Sequence, residues 1–485
     1  LGDVYKRQRL RNMAHSCERQ PVFCLDITKK GGSQSMSLQF IFGNSGSGKS
    51  HYLYQHIVEE SIRHPEKNYL VLVPEQFTMQ TQKDLCMAHP RGGIMNIDVL
   101  SFGRLAHRVF EETGKERQPI LDDEGKNLVL RKIAGNYEEE LTVLKGNLKK
   151  QGYISEVKSV ISEFTQYGID FEQLDSFMEG LNPESYLYYK LKDIRKVYEG
   201  FEDYLRDKYI TKEELLDVLS QTVPEAKMLK DSVIAMDGFT GFTPVQNRLI
   251  GELLKVCDKI MLTVEIDRRE DPFVYKHPYQ LFALSKQMVT SLTEVAQEVR
   301  VEIDEPVWLC KNPSYRFKEN PEMAFLEEEL FRYSRRKYSG EKMRSISLHE
   351  VHTPQEEAQY VAEEIRRLVR EEGYRYREIA VIASDLNAYA DSLEKACEHY
   401  EIPVFMDHKK SILLNSFVEY LRSLLVMVEQ NYTYESVFRY LRTGLCGFTR
   451  DEVDRLENYC LALDLKGFKK WDQVWVRKTP MTTKE

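Results

Sequence analysis

Gly43-Asn44-Ser45-Gly46-Ser47-Gly48-Lys49-Ser50 is the stretch around which the rest of this chain can be read. It fits G-x-x-x-x-G-K-[ST], a spacing whose glycines let successive backbone N–H groups curl inward around an anion. Lys49 can then reach the terminal phosphates of a nucleotide, and the Ser50 hydroxyl can ligate Mg²⁺. The flanking sequence agrees. Leu38-Gln39-Phe40-Ile41-Phe42 reads as a short buried strand, and Leu53, Ile57, Val58 and Ile62 follow the loop at helical spacing until His64-Pro65. The loop therefore opens a helix whose N-terminus favours anions. All eight residues from Gly43 to Ser50 are the expected nucleotide-binding set.

The chain is 485 residues long, room for roughly two to four domains with real apolar cores. A net charge of −9 gives no global field for nucleic acid, so any such affinity must come from local basic grooves. Eight cysteines are scattered without a C-x-x-C pair, which fits reduced thiols better than disulfides or zinc. No apolar run approaches the ~20 residues of a membrane span, and the expected compartment is the cytoplasm. Residues 1–35 lack a start methionine, clear periodicity and the apolar core of a signal peptide. They are expected to be a non-native or disordered leader, with translation starting at Met36.

Beyond the first helix, Tyr69-Leu70-Val71-Leu72-Val73 reads as a second buried strand stopped by Pro74, with Gln76-Phe77-Thr78 at its carboxyl end. A third strand at Ile97–Leu100 runs into Ser101-Phe102-Gly103-Arg104, the start of a helix with basic side chains. Both loops lie where open α/β sheets bind ligands. Strand–helix–strand repetition predicts a parallel sheet with right-handed crossovers. Residues 118–223 change to charged, helix-favouring sequence without strand-like runs and are expected to be a helical insertion. There Leu187, Leu191, Ile194, Tyr198, Phe201 and Leu205 form a seam, better explained by helix packing than by a DNA-facing stripe because it is apolar and not basic.

The sheet resumes at Ser232–Met236, followed by Asp237-Gly238-Phe239-Thr240-Gly241-Phe242-Thr243-Pro244. A carboxylate just past a buried strand, downstream of such a loop, suits a second Mg²⁺-positioning group, so Asp237 is the candidate; the alternative is a turn-capping aspartate ahead of Gly238. A strand at Lys259–Val264 then completes the expected core, giving a first domain from 36–117 and 224–267. Residues 268–344 read as a linker, although basic residues interleaved with aromatics at Phe331–Tyr338 could also track a nucleic-acid backbone. Strands at Ser345–His349, Ile379–Ala383 and Ile402–Met406 suggest a second α/β domain beginning at 345–416. From 417–485 the chain turns helical again.

From Asp237 to Gln246 the order of motifs resembles UvrD-like superfamily 1 helicases, and most closely the AddB family, the B subunits of bacterial AddAB helicase-nucleases. Gly43–Ser50 is similar to motif I, Gln76-Phe77-Thr78 to the DNA-contacting motif Ia, and Ser101–Ala106 to the T-F-H-x-L-A segment. Asp237-Gly238-Phe239 with Gln246 resembles motif II, and 357–382 the opening of a second RecA-like domain. The resemblance implies an α/β fold with two RecA-like P-loop domains, each with parallel sheets and a mainly helical insertion. It also implies ATP and Mg²⁺ at Ser50 and Asp237, DNA contacts at Phe77, Thr78, Ser101, Phe102 and Arg104, and an AddA-like helicase-nuclease partner. The substrates would be single-stranded DNA and DNA ends, processed for recombinational repair with recognition of a Chi signal.

Where active helicases of this class carry a water-orienting glutamate, this chain has Gly238, and Val264-Glu265-Ile266-Asp267 lacks the expected γ-phosphate glutamine. The expectation is ATP binding with little hydrolysis, and no side chain is assigned a catalytic role. The nuclease and 4Fe-4S cluster of such proteins are expected in a C-terminal part that this N-terminal fragment does not include. Rival expectations are an autonomous ATP-driven DNA translocase using another carboxylate, and a small-molecule kinase with one sheet.

Overall fold

The computed structural model describes residues 36–114, 119–147, 150–206, 208–340, 343–407 and 412–477. The expected leader 1–35, with Cys17 and Cys24, and the polar tail from Met481 lie outside them. The chain divides into two compact units, residues 1–347 and 348–485.

The first unit is built on β1 (Ser37–Gly43), α1 (Lys49–Arg63), β2 (Tyr69–Leu72), α2 (Thr78–Ala88), β3 (Ile97–Leu100) and α3 (Phe102–Thr113). Then come β4 (Ile120–Leu121), the insertion helices α4 (Asp123–Asn136), α5 (Gln151–Tyr167), α6 (Phe171–Glu179) and α7 (Tyr186–Leu205), and β5 (Ile210–Thr211). The chain returns through α8 (Leu215–Thr222), β6 (Val233–Met236), α9 (Pro244–Leu254), β7 (Lys259–Glu265), α10 (Ala283–Glu298), β8 (Glu302–Ile303), β9 (Val307–Trp308) and α11 (Pro321–Glu329). The main sheet is parallel throughout, in the order β3-β2-β6-β7-β1-β8, with β9 also on β1. Because strand side chains alternate, Leu38, Phe40 and Phe42 enter one core with α3, α9 and α10, while Ile41 enters the other with α1 and α2. Burying both faces is what a parallel sheet requires.

In the insertion the seam residues Ile194, Tyr198, Phe201 and Leu205 are core, so packing accounts for the spacing; Leu187 lies outside it. Asp193 on α7 accepts the N–H groups of Thr142, Val143 and Leu144 at 2.6–3.0 Å, fixing the loop after α4. Two short strands do occur in this stretch: β4 and β5 pair in parallel, Ile120 with Ile210, where the insertion leaves and rejoins the sheet. Two residues per strand are too few for any periodicity to announce them.

Two sequence-based expectations need correction. Residues 268–344 are not a free linker: α10 packs into the core, and β8 and β9 add to β1, Leu38 opposite Ile303 and Ile41 opposite Val307. Pro306 separates these two-residue pieces, which are held by Asp304 N–H on Leu38 O and Leu309 N–H on Phe42 O, at 2.9 and 2.8 Å. The core is therefore not complete at Asp267.

In the second unit, none of the three expected strands forms among the described residues. Its elements are α12 (Pro354–Glu371), α13 (Leu386–His399), α14 (Ser416–Glu429), α15 (Tyr434–Leu441), α16 (Arg450–Ala462) and α17 (Phe468–Trp471). Ile402 packs on Ala362, Ile365 and Cys397, yet Leu348, Ile382 and Phe405 are 98, 94 and 89 % exposed. An apolar run favours extended chain, but a strand exists only where a second backbone supplies its hydrogen bonds.

Candidate phosphate-binding site

The glycine loop leaves β1 at the carboxyl edge of the sheet and hands the chain to α1 at Lys49. Gly46 and Gly48 hold φ of +71° and +92°, the left-handed region where other residues are strained. Gly43 is needed for space, since a Cβ there would lie 2.3 Å from Ser47 Oγ and 2.9 Å from Lys49 Cγ. No side chain caps α1 and no acidic residue occupies its first turn, so its leading N–H groups remain directed at the loop. Lys49 Nζ donates to Asn44 O at 3.0 Å. Burial lowers the Lys49 pKa, while the carboxylates of Glu265 and Asp237 pull it back up. Ser50 is exposed at the start of α1.

Asp237 stands at the end of β6, one strand away from β1, because β7 lies between them. Its carboxylate accepts the Tyr54 hydroxyl of α1 at 2.7 Å and the Thr263 hydroxyl of β7. These partners lie across the sheet edge, and not in the turn that follows. Burial and the adjoining Asp237 charge push the Tyr54 phenol well above its ordinary pKa. Gly238 follows at φ +77°.

The sequence-based DNA-contact candidates separate into two kinds. Phe77 and Arg104 are exposed. Thr78 is buried with its hydroxyl on Glu75 O at 3.0 Å, Ser101 caps α3, and Phe102 is buried. The loops nevertheless converge: a Cβ on Gly238 would touch Phe77 at 3.7 Å, and Phe102 packs on Phe239 and Phe242 with centroids 5.5 and 6.2 Å apart. An aromatic ledge thus joins the loops after β2, β3 and β6.

Sequence reasoning missed the lid, the segment after β9 from Leu309 to Arg332 that lies against the glycine loop. Arg316 donates its backbone N–H to Gly46 O at 3.0 Å, and Glu327 on α11 takes the Asn44 amide. Cys310 donates to Ile266 O at 3.5 Å, and burial raises its thiol pKa. Arg332 pairs with Asp267 and Glu270 at 2.8 and 3.1 Å. Of the lid residues only Arg332 fell in a stretch that stood out in the sequence, the basic-aromatic run Phe331–Tyr338, which has no spacing relation to the glycine loop.

A glycine loop between the first core strand and a helix, an acidic strand end one strand away, and a parallel sheet covered on both faces define a P-loop α/β protein. The family model described as "ADDB, N-terminal" matches residues 40–327, and that of the "UvrD-like helicase C-terminal domain" matches 316–476. The chain belongs to the AddB family. It is 42 % identical over 446 residues to the ATP-dependent helicase/deoxyribonuclease B subunit of Lachnoclostridium phytofermentans, covering 91 % of this chain and 39 % of the relative. The protein of that name from Clostridium perfringens is 34 % identical over 455 residues, 93 % of this chain and 39 % of its own length. The chain thus spans about two fifths of the curated relatives it matches. This membership, and not a count of sheets, sets aside the small-molecule kinase, because among the described residues there is one large sheet.

Proposed function

We propose that this chain is the ATP-binding, DNA-guiding portion of a heterodimeric ATP-dependent helicase-exonuclease that processes broken DNA ends for recombinational repair. The observation that carries this is the pairing of a formed phosphate cradle with a glycine, held at positive φ, in the place of the water-activating carboxylate. The residues fit the group: buried Ser47 Oγ and Asn44 Oδ1 have no hydrogen-bond partner, and a helix N-terminus faces the loop. Gly43 to Lys49 would hold the phosphates of ATP, with Ser50 and Asp237 on Mg²⁺. Bound ATP would supply phosphoryl-transfer chemistry, slow here because Gly238 cannot orient water.

The organisation we infer has a first RecA-like domain from 36–117 and 224–267, enlarged by β8 and β9, with 118–223 as its helical insertion. A second RecA-like domain would open at 345–416 and carry another insertion from 417–485, a reading supported by the UvrD-like match over 316–476. Phe77 and Arg104 would meet single-stranded DNA directly, with Thr78, Ser101 and Phe102 shaping the ledge beneath; Chi recognition would act there. The partner would be an AddA-like motor, and the nuclease and 4Fe-4S cluster would lie outside these residues. No helix among the described residues is long and apolar enough to cross a membrane, and the cytoplasm is the proposed compartment.

Calorimetric titration of the chain with Mg-ATP should show binding that Lys49→Ala removes. Turnover with single-stranded DNA should stay near background. Robust DNA-stimulated hydrolysis lost in Lys49→Ala would establish the rival, an autonomous translocase.

A further inference from the structure

Two of the lid's contacts with the phosphate loop matter here. Where Gly46 lacks a Cβ, one would fall 2.6 Å from Arg316 Cβ and 3.1 Å from Ser314 Oγ, so the lid backbone lies directly on the loop. At the second place Glu327, from α11, receives Asn44 Nδ2 on both carboxylate oxygens at 3.1 Å each; Lys311 O is a more distant acceptor at 3.5 Å. Asn44 is 6 % exposed. Six buried side-chain polar atoms have no hydrogen-bond partner among the described residues, and three of them, Asn44 Oδ1, Ser47 Oγ and Ser314 Oγ, crowd around this loop.

The motif spacing leaves the position of Asn44 open to any residue. A buried amide is a costly choice unless its polar atoms are engaged. Here it is engaged on one side only, by a carboxylate more than 280 residues away in sequence. The Asn44 backbone carbonyl meanwhile accepts Ser47 N–H at 3.2 Å and Lys49 Nζ at 3.0 Å, so whatever fixes Asn44 also fixes the first turn of the cradle.

We propose that Glu327 is a positioning residue of the nucleotide site, holding the phosphate loop through Asn44 in the shape that receives the phosphate chain of a nucleoside di- or triphosphate. This rests on the nucleotide-binding reading above. The action is through the hydrogen bond and not the charge, since a carboxylate beside the loop repels phosphate. Burial raises the Glu327 pKa, as does Asp267, while Asn44, Arg269 and Arg332 oppose them. Preorganising the loop lowers the ordering cost of binding. A glutamine at this position keeps an acceptor for Asn44 Nδ2, removes the charge and offers an N–H to the unpartnered Oδ1. A leucine keeps only bulk.

The test titrates Mg-ADP into the full chain by calorimetry, alongside thermal unfolding without nucleotide. Glu327→Leu should weaken affinity about tenfold, the scale of one hydrogen bond to a charged group, while Glu327→Gln binds at least as tightly as the parent. Asn44→Ala should weaken binding similarly, and adding Glu327→Leu to it should cost nothing more. Equal effects of leucine and glutamine would overturn the proposal by assigning a purely electrostatic role. So would a Glu327→Leu chain with lowered Tm and unchanged affinity, or, should that variant not fold, Asn44→Ala with parental affinity. If the parent itself takes up no Mg-ADP, the nucleotide-binding reading falls and takes this one with it; parental binding lost only in Lys49→Ala sinks this one alone.

Discussion

At Gly238 the backbone holds φ +77°, while a Cβ would meet Pro74 Cδ and Phe77 Cδ2 only at 3.6 and 3.7 Å, ordinary contact distances. The glycine is therefore required by conformation and not by crowding. A side chain in this region costs about 1–2 kcal/mol, and a Cβ there faces Pro74 and Phe77. Gly238→Glu should lower the unfolding free energy by about 1–2 kcal/mol, as should Gly238→Ala, without raising ATP turnover. Denaturant titration and a steady-state ATPase assay check both halves; a stable, active Gly238→Glu would show that the missing carboxylate alone keeps hydrolysis low. The sequence reveals that a glycine stands where a carboxylate is expected. The φ that makes it more than a lost side chain is visible only in the fold.

On α7, Glu202 lies within the insertion with its carboxyl pKa raised from 4.5 to about 7, by burial first and then by the Glu214 carboxylate, with Asp203 adding and Arg206 opposing. An acid that binds its proton more tightly when folded loses stability as pH climbs through the gap between its unfolded and folded pKa values. The Glu202 contribution should therefore decline from about pH 4.5 to about pH 7 and stay low above that. Glu202→Gln should raise Tm at pH 8, make little difference at pH 5 and flatten the profile between; an unchanged Tm at pH 8 would place Glu202 in solvent. Elements differ in how much of this the sequence discloses. β1, the glycine loop and α1 were legible because strand, turn and helix signals sit within one stretch of chain. The strands that lead into the lid were not, because β8 and β9 are two residues long and find their partner in β1 some 265 positions earlier, as Leu38 and Ile303 show. Asn44 and Glu327 likewise carry no local mark of each other.

Across the whole molecule, the two units differ in how their apolar side chains are used. In the first, both faces of the sheet are covered and the cores run through β1, β2, β6 and β7. In the second, small clusters form around Ala362, Ile365, Cys397 and Ile402, and around Phe438, Val453 and Cys460. Many of its other large apolar residues stand exposed, including Leu348, Ile382, Phe405 and the α14 stripe of Phe417, Leu421, Leu425 and Val428. The apolar runs at 379–383 and 402–406 were readable as buried strands from composition, but burial depends on what covers them, which local sequence does not specify. Segments with few buried contacts and no ladder hydrogen bonds open at low free energy, and a protease samples such openings long before global unfolding. Brief digestion of the full chain with a broad-specificity protease, read by mass spectrometry, should first cut within 379–385 and 402–407. Residues 37–43 and 259–265 should be cut only in denaturant that unfolds the sheet. Early cleavage within β1 or β7, with 379–385 intact, would reverse this order and show that the unpaired runs of the second unit are held more firmly than the parallel sheet.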